Sequence, residues 1–229
     1  MPLEIKTIKF GGVNAYLLKN GDSFLLIDAG YPARRAFLEK ELTGAGCRPG
    51  NLKLVILTHG DIDHIGNCVW LLQKYGAKIA MHQGDIGMAE SGDMNWNRKT
   101  KSDKYSLMFR MMSNMTVFFK PGKFEVFTPD LTIDESFELA AYGFDARVLY
   151  LPGHSKGSLG VLTGGGDLFC GDLIYNFFGL PGFICYINEA ADHNASIEKL
   201  KKLNIRTVYP GHGGPFSMEQ FMKKYRPLA

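Results

Sequence analysis

The chain has 229 residues and carries a net charge of +3, from 26 Lys and Arg against 23 Asp and Glu. It is 45% hydrophobic and 21% charged, a globular composition that excludes a disordered, collagen-like or coiled-coil chain. So small a surplus of positive charge argues against nucleic acid or an anionic membrane as a partner. The four cysteines form no CxxC pair, as is typical of the reduced thiols of a cytoplasmic protein.

The sequence predicts no targeting or membrane segment. Residues 1–6 lack the apolar stretch of a signal peptide. The most apolar run, 177–187, is interrupted by Gly179, Pro181 and Gly182 and is shorter than the roughly 18 residues that span a bilayer. We therefore expect a cytoplasmic protein without a membrane partner.

The first third of the chain is predicted to be rich in strands and then to alternate strands with helices. Residues 20–22, Asn-Gly-Asp, are a hairpin turn signal, and Pro32 suits the first turn of a helix. The continuous apolar run at 52–58 is typical of a strand that is buried on both faces. Strands are expected at 5–10, 15–18, 23–28, 52–58 and 78–82, and helices at 32–42 and 65–75.

Residues 83–119 interrupt this alternation and are rich in methionine. We expect an inserted helical segment here that lies over the functional site as a lid. Methionine is flexible and polarizable, so such a lid would adapt to ligands of varied shape. In the alternative, the apolar stripe of this segment only packs on the core. The stripe has helical spacing and comprises Met108, Phe109, Met111, Met112, Met115, Phe118 and Phe119.

The second half repeats the plan of the first. Two such halves would stack sheet on sheet with helices outside, and we expect one domain over residues 1–229. Strands are expected at 124–127, 131–133, 137–139, 147–151, 158–162, 168–170 and 207–209, and helices at 188–203 and 217–224.

Four short polar loops follow apolar strands and hold four of the six histidines. They are Thr58-His59-Gly60-Asp61-Ile62-Asp63-His64, Gly153-His154, Gly171-Asp172 and Gly211-His212. Carboxylates and imidazoles packed together cost several kcal/mol when they are desolvated without partners. A divalent ion reverses that cost, because these groups are its natural ligands. Capping of the following helix by Asp61 or Asp63 is the alternative for the first loop, but it does not account for all four.

The four loops resemble the metal signature of the metallo-β-lactamase superfamily, which has a His-X-His-X-Asp-His loop, a Gly-His, a Gly-Asp and a final Gly-His. The resemblance covers about residues 10–215 and implies an α/β fold, the αββα four-layer sandwich of two mixed sheets with outer helices. It implies one metal held by His59, Asp61 and His154, a second held by Asp63, His64 and His212, and Asp172 as a bridge, with a hydroxide between the metals.

Asp61 departs from the superfamily pattern, which usually has His at this position. An acidic residue there resembles the flavodiiron oxygen reductases, which carry Glu. Three carboxylates, two divalent ions and a hydroxide sum to zero charge, against +1 for the usual set. We expect two divalent metal ions, zinc by family, while the harder and more negative donor set favours iron or manganese. Alternatively, Asp61 does not ligate and only the second position is filled.

With an aspartate at position 172, the set of candidate ligands resembles that of glyoxalase II and the acyl-homoserine lactonases rather than that of the true β-lactamases. The resemblance implies a metal-dependent hydrolase in which the bridging hydroxide attacks the carbonyl of an ester, thioester or lactone. Two alternatives stay open. One is a di-iron oxidoreductase of the flavodiiron type without its own flavodoxin domain, and the other is a phosphodiesterase.

Several further residues are candidates for contact with the substrate. Tyr175 stands where the lactonases have a tyrosine that touches the substrate carbonyl, and with Asp63 and Asp172 it forms the expected catalytic set. Lys156 is a candidate for binding a carboxylate or phosphate, and Phe177 and Phe178 suggest an apolar pocket. We therefore expect a small-molecule substrate with an apolar part and no nucleic acid partner. The oligomeric state stays open, with a homodimer as one alternative.

Overall fold

Residues 3–99, 103–105, 124–183 and 186–228 are described by the computed structural model. The strands of the first half are β1 (Glu4–Lys9), β2 (Asn14–Asn20), β3 (Ser23–Ile27), β4 (Leu52–Ile56), β5 (Lys78–Met81), β6 (Lys104–Tyr105) and β7 (Leu131–Thr132). The helices of this half are α1 (Arg35–Gly44), α2 (Ile62–Ile65), α3 (Cys68–Tyr75) and α4 (Ile86–Ser91), with 3-10 turns at Pro32–Arg34 and Gln83–Asp85.

The second half is also a succession of strands that ends in helices. Its strands are β8 (Ala146–Tyr150), β9 (Leu159–Thr163), β10 (Asp167–Gly171), β11 (Tyr175–Phe177), β12 (Leu180–Phe183), β13 (Tyr186–Ile187), β14 (Thr207–Pro210) and β15 (Phe216–Ser217). A 3-10 turn (Leu139–Tyr142) precedes them, and the helices are α5 (Ala190–Leu200) and α6 (Met218–Lys224).

These strands form two main sheets, with the orders β1-β2-β3-β4-β5-β7 and β15-β14-β10-β9-β8. In the first sheet β1, β2 and β3 are antiparallel, and the pairs from β3 to β7 are parallel. In the second sheet only the β10–β14 pair is parallel. Both sheets are therefore mixed, as the sequence predicted.

Side chains of the central strands alternate between two apolar cores. In β3, Phe24 and Leu26 belong to the core under α1 and α3, whereas Leu25 and Ile27 belong to the core between the sheets. This alternation follows from the two-residue period of a strand. A third core lies between the second sheet and the helices α5 and α6. The predicted αββα sandwich is thus confirmed.

Some predicted elements were wrong at the local level. The stretch 124–127 is not a strand, because β7 already pairs with β5 and the side chains of Phe124 and Phe127 pack on the first core instead. In place of the strand expected at 137–139, Glu138 forms an isolated β-bridge with Arg147 and Leu139 begins the 3-10 turn. The helix expected at 65–75 is two helices, broken at Gly66, where a Cβ atom would lie 2.2 Å from Pro32 Cδ.

Only part of the predicted inserted segment at 83–119 lies within the described residues. Its described part is helical at α4, forms turns up to residue 99 and contains the short strand β6, which pairs with β13. The Sδ atom of Met94 accepts a hydrogen bond of 3.2 Å from the backbone N–H of Ile62, so this part lies against the polar loop 58–64. The stripe from Met108 to Phe119 lies outside the described residues, and the lid stays a prediction.

In the part of the chain that the structure describes, every helix is too short or too polar to cross a membrane.

Candidate metal centre

Seven side chains that the sequence singled out converge at one edge of the two sheets. Each follows the carboxyl end of a strand, which is where open α/β sheets place their ligands. His59, Asp61, Asp63 and His64 follow β4, His154 follows β8, Asp172 follows β10 and His212 follows β14. Asn14 joins the sheets beside this edge, since its backbone N–H donates to the carbonyl of Gly211 at 2.8 Å.

The first group of donors surrounds one position. Asp61 Oδ2 lies 3.5 Å from His59 Nε2 and 3.1 Å from His154 Nε2. Asp172 Oδ2 lies 3.9 Å from each of these two nitrogen atoms. Ligands about 2.1 Å from a tetrahedral metal are roughly 3.4 Å apart, so the spacing suits one ion.

The second group lies beside the first and shares Asp172 with it. Asp63 Oδ2 lies 3.7 Å from His64 Nε2 and 3.4 Å from His212 Nε2. Asp172 Oδ1 is 3.4 Å from His64 Nε2, and its Oδ2 is 3.2 Å from His212 Nε2. Asp172 therefore stands between two donor groups, as expected of a bridging carboxylate.

All four histidines direct the same nitrogen atom into the centre, because the other nitrogen is engaged elsewhere. Two Nδ1 atoms contact side chains, that of His59 at Thr58 Oγ1 and that of His64 at Asp28 Oδ2. The other two contact backbone carbonyls, that of His154 at Tyr186 and that of His212 at Gly12, and all four distances lie between 2.8 and 3.2 Å. Such outer contacts commonly fix the orientation and tautomer of metal-binding histidines.

Several of the inward-facing atoms lack hydrogen-bond partners. Among the described residues, His59 Nε2, His64 Nε2 and Asp172 Oδ1 are buried atoms without a hydrogen bond. Buried polar atoms in folded proteins are normally satisfied, so this concentration of orphaned atoms requires an explanation. Two divalent ions would satisfy them, and the nitrogen and oxygen donors suit such ions.

Sequence reasoning missed two carboxylates that support the centre. Asp28, in the left-handed region with φ of 62°, pairs with His64 and accepts from the backbone N–H of Thr58 at 2.8 Å. Asp85 is fully buried and accepts three hydrogen bonds, from Gly60 N–H at 3.1 Å, from Ser155 Oγ at 2.6 Å and from Gly157 N–H at 2.8 Å. These bonds connect the loop that carries His59 with the loop that carries His154. Their only sequence signal is that each closely follows an apolar strand.

A third residue that sequence reasoning missed is a cation. Arg98 Nη2 lies 2.8 Å from Asp61 Oδ1, and the guanidinium is almost completely buried. No motif in the sequence marks this arginine.

The comparison with protein families agrees with this geometry. A model of the metallo-β-lactamase superfamily matches residues 8–212, a range that contains all seven candidate ligands. The chain belongs to the metallo-β-lactamase superfamily. The match confirms the predicted family, whose members are generally hydrolases.

Individual relatives are distant. The chain is 28% identical over 127 residues to the hydroxyacylglutathione hydrolase GloC of Haemophilus influenzae. The matched residues make up 55% of this chain and about half, 51%, of GloC. It is 25% identical over 231 residues to the probable metallo-hydrolase YflN of Bacillus subtilis, covering 90% and 81% of the two chains. Among solved structures, the superfamily protein ST1585 from Sulfolobus tokodaii has a TM-score of 0.68 at 23% identity, over 97% of this chain and 85% of that one.

The expected substrate-contact residues lie in different environments within this metallo-β-lactamase fold. Tyr175 is buried, stacks on His212 at 5.2 Å and donates its hydroxyl to Asp172 Oδ2 at 2.8 Å. Phe177 packs beside it, with ring centroids 5.9 Å apart. Phe178 is 93% exposed. Lys156 is exposed, and its backbone carbonyl accepts from the hydroxyl of Tyr150.

Burial and the crowded charges oppose each other at the centre. Burial alone would raise the pKa of Asp61, but Arg98, His154 and His59 together outweigh it and hold this pKa well below its usual value. For His154 burial lowers the pKa, which favours the neutral imidazole that binds metal. Burial would also lower the pKa of His64, but Asp172, Asp28 and Asp63 raise it to about 9. In the metal-free protein His64 is therefore a cation at neutral pH.

This pKa predicts how the stability of the metal-free protein changes with pH. Because the folded pKa of His64 lies above the unfolded value near 6.5, its stabilisation is complete below pH 6.5 and is lost as the pH rises to 9. We expect the free energy of unfolding to fall by about 3 kcal/mol over that interval. Urea denaturation in the presence of a chelator measures it, and His64→Gln should reduce the dependence to the part that His212 contributes, whose pKa is also raised by Asp172 and Asp63 against the effect of burial. A free energy that stays constant or rises would contradict this assignment.

Proposed function

We propose that the protein is a dinuclear metal-dependent hydrolase of an ester, thioester or lactone. The observation that carries this proposal is the pair of donor groups that share the buried carboxylate of Asp172. Two divalent ions held by these groups would supply Lewis acidity and would acidify a water molecule. The expectation of zinc, or of iron or manganese because of Asp61, belongs to the same proposal.

The side chains of the centre have separate tasks in this proposal. Asp172 holds the two positions at a fixed separation, and the hydroxyl of Tyr175 fixes the orientation of its carboxylate. Asp63 is the more accessible carboxylate, since its side chain is 17% exposed against 4% for Asp172. Asp63 is therefore the group that takes up or delivers a proton beside a bound substrate. Tyr31, which is 37% exposed, lies beside Asp63.

The substrate class rests on two observations. GloC and a relative from Acidiphilium cryptum, which is 25% identical over 214 residues, are both named as hydrolases of hydroxyacylglutathione, a compound that joins an acyl group to a thiol. The rings of Tyr175 and Phe177 stack beside His212, which places apolar surface next to the second position. We therefore propose a small acylated substrate with an apolar part, acted on in the cytoplasm, with neither nucleic acid nor membrane as a partner.

The proposal is tested with protein produced without added metal. Elemental analysis should show close to two transition-metal equivalents per chain, and a panel of acyl esters, thioesters and lactones should contain substrates. A chelator should abolish that hydrolysis, and added metal should restore it. Activity only on phosphodiesters, or only consumption of oxygen in the presence of a reductant, would contradict the proposal and favour one of the two alternative functions.

Phe178 gives a prediction about the apolar part of the substrate. It occupies the two-residue turn between β11 and β12 with φ of 54°, a conformation that costs a bulky residue about 1–2 kcal/mol. Asparagine tolerates this conformation, and Asn-Gly is the preferred sequence for such a turn. We expect Phe178→Asn to raise the free energy of unfolding by about 1 kcal/mol and to raise KM several-fold for long acyl chains but not for acetyl esters.

Leu72→Asn is the control for this prediction, because Leu72 is an exposed apolar residue on the outer helix α3. Steady-state kinetics with a series of chain lengths and urea denaturation measure the two effects. An unchanged KM at every chain length would remove Phe178 from the expected substrate contacts.

A further inference from the structure

Arg98 lies beside the first metal position, and its neighbours in the chain hold it there. The side-chain amide of Asn97 donates to the carbonyl of Gly84, and the backbone N–H of Lys99 donates to Asn188 Oδ1 at 2.9 Å. The guanidinium also stacks on the ring of Tyr186 at 4.9 Å from its centroid. Arg98 is therefore anchored on both sides rather than placed by a flexible surface loop.

The side chain of Arg98 is only 7% exposed, and its guanidinium faces the centre. Its Nη2 atom lies 2.8 Å from Asp61 Oδ1 and 3.3 Å from His154 Nε2, while its Nε atom has no hydrogen-bond partner among the described residues. A buried arginine needs a negative partner, because an unpaired buried charge costs several kcal/mol. Asp61 is the carboxylate at ion-pair distance from it.

The two oxygen atoms of Asp61 have separate partners. Oδ1 faces Arg98, whereas Oδ2 faces the Nε2 atoms of His59 and His154. Such a division suits a carboxylate that binds a metal through one oxygen and is oriented through the other by an outer cation. Arg98 thus leaves Asp61 available as a ligand and restricts it to a single ligating oxygen.

We propose that Arg98 is the counter-cation that allows Asp61 to replace the usual histidine at the first metal position. The three carboxylates and two divalent ions sum to +1, and Arg98 raises the sum to +2. A neutral histidine at position 61, with no arginine, gives the same +2. The Asp61–Arg98 pair is therefore electrostatically equivalent to the histidine that it replaces. This inference rests on the proposed dinuclear site.

One consequence concerns the choice of metal. The extra carboxylate does not make the centre more negative, because Arg98 cancels its charge. Any preference for iron or manganese over zinc then comes from the harder oxygen donor alone. Only the folded chain brings this arginine to Asp61, so the net charge counted from the sequence is one unit too low.

The test compares Arg98→Gln, Asp61→His and the double variant with the wild-type protein. Metal equivalents are measured after dialysis, and affinities are measured by competition with a chromophoric chelator. We expect Arg98→Gln to weaken one of the two positions about 10- to 100-fold, as the loss of an outer partner commonly does. Asp61→His should weaken the same position, because it leaves Arg98 as an unpaired buried cation. The double variant should regain two tightly bound metals.

Lys99→Gln is the matched control, because this neighbouring cation pairs with Asp103 and Glu189 at the surface, and it should retain both metals. The double variant also guards against misfolding, because it lacks both charges of the pair. Wild-type affinity in Arg98→Gln, or a double variant no better than Asp61→His, would overturn the inference. A wild-type protein with one metal would also overturn it, whereas one that binds no metal would refute the proposed function itself.

Discussion

Replacing Asp172 by asparagine is expected to deplete both metal positions and to lower kcat/KM on the order of 1000-fold or more. The asparagine has the same shape but no negative charge, and only one of its two side-chain atoms is an acceptor. Asp172 faces His59 and His154 on one side and His64 and His212 on the other, so one substitution affects both donor groups. Elemental analysis and hydrolysis of the best substrate measure the two effects.

Asp145→Asn is the control for this substitution. Asp145 is exposed and immediately precedes β8, at the end opposite to the one that carries His154, so both metals should stay bound. If the Asp172 variant keeps one metal at wild-type affinity, Asp172 belongs to a single position and does not bridge. The proposed dinuclear arrangement would then have to be abandoned.

The second large effect is expected at Asp85, which does not face the metal positions. Asp85→Ala removes three buried hydrogen bonds and leaves the N–H groups of Gly60 and Gly157 without an acceptor, whereas Ser155 Oγ keeps its contact with Ser158 Oγ. Each lost hydrogen bond to a buried charged group costs about 1.5–3 kcal/mol, so the two orphaned N–H groups predict a loss of about 4 kcal/mol. For a chain of this size that corresponds to a fall of about 10 °C in Tm.

The fall in Tm should be present in the metal-free protein, because Asp85 supports the loops and not the ions. Thermal unfolding in the presence of a chelator measures it. Asp134→Ala is the matched control, since Asp134 also accepts two hydrogen bonds, from Ser136, but does so in an exposed turn. A similar Tm for the two variants would show that Asp85 does not hold the metal loops together.

The sequence by itself determined the layers of the fold and the set of candidate ligands. The layers follow from apolar runs such as 52–56 and from the alternation within β3, which are properties of neighbouring residues. The candidate ligands lie in short loops that directly follow strands, so local sequence is enough to locate His154 or Asp172. Elements without a strong period were the ones mispredicted, as at 124–127 and at the β11–β12 hairpin, which the sequence did not predict.

Only the tertiary structure decided what surrounds those ligands. Asp28, Asp85 and Arg98 lie far along the chain from the groups that they contact, and a lone charged residue carries no signal of its future partner. Their role depends on burial, because a carboxylate or guanidinium binds its partner strongly only where water is excluded. Burial is a property of the packed sheets and loops. The net charge around the first metal position could therefore not be predicted from the sequence, although Asp61 could be identified as a candidate ligand.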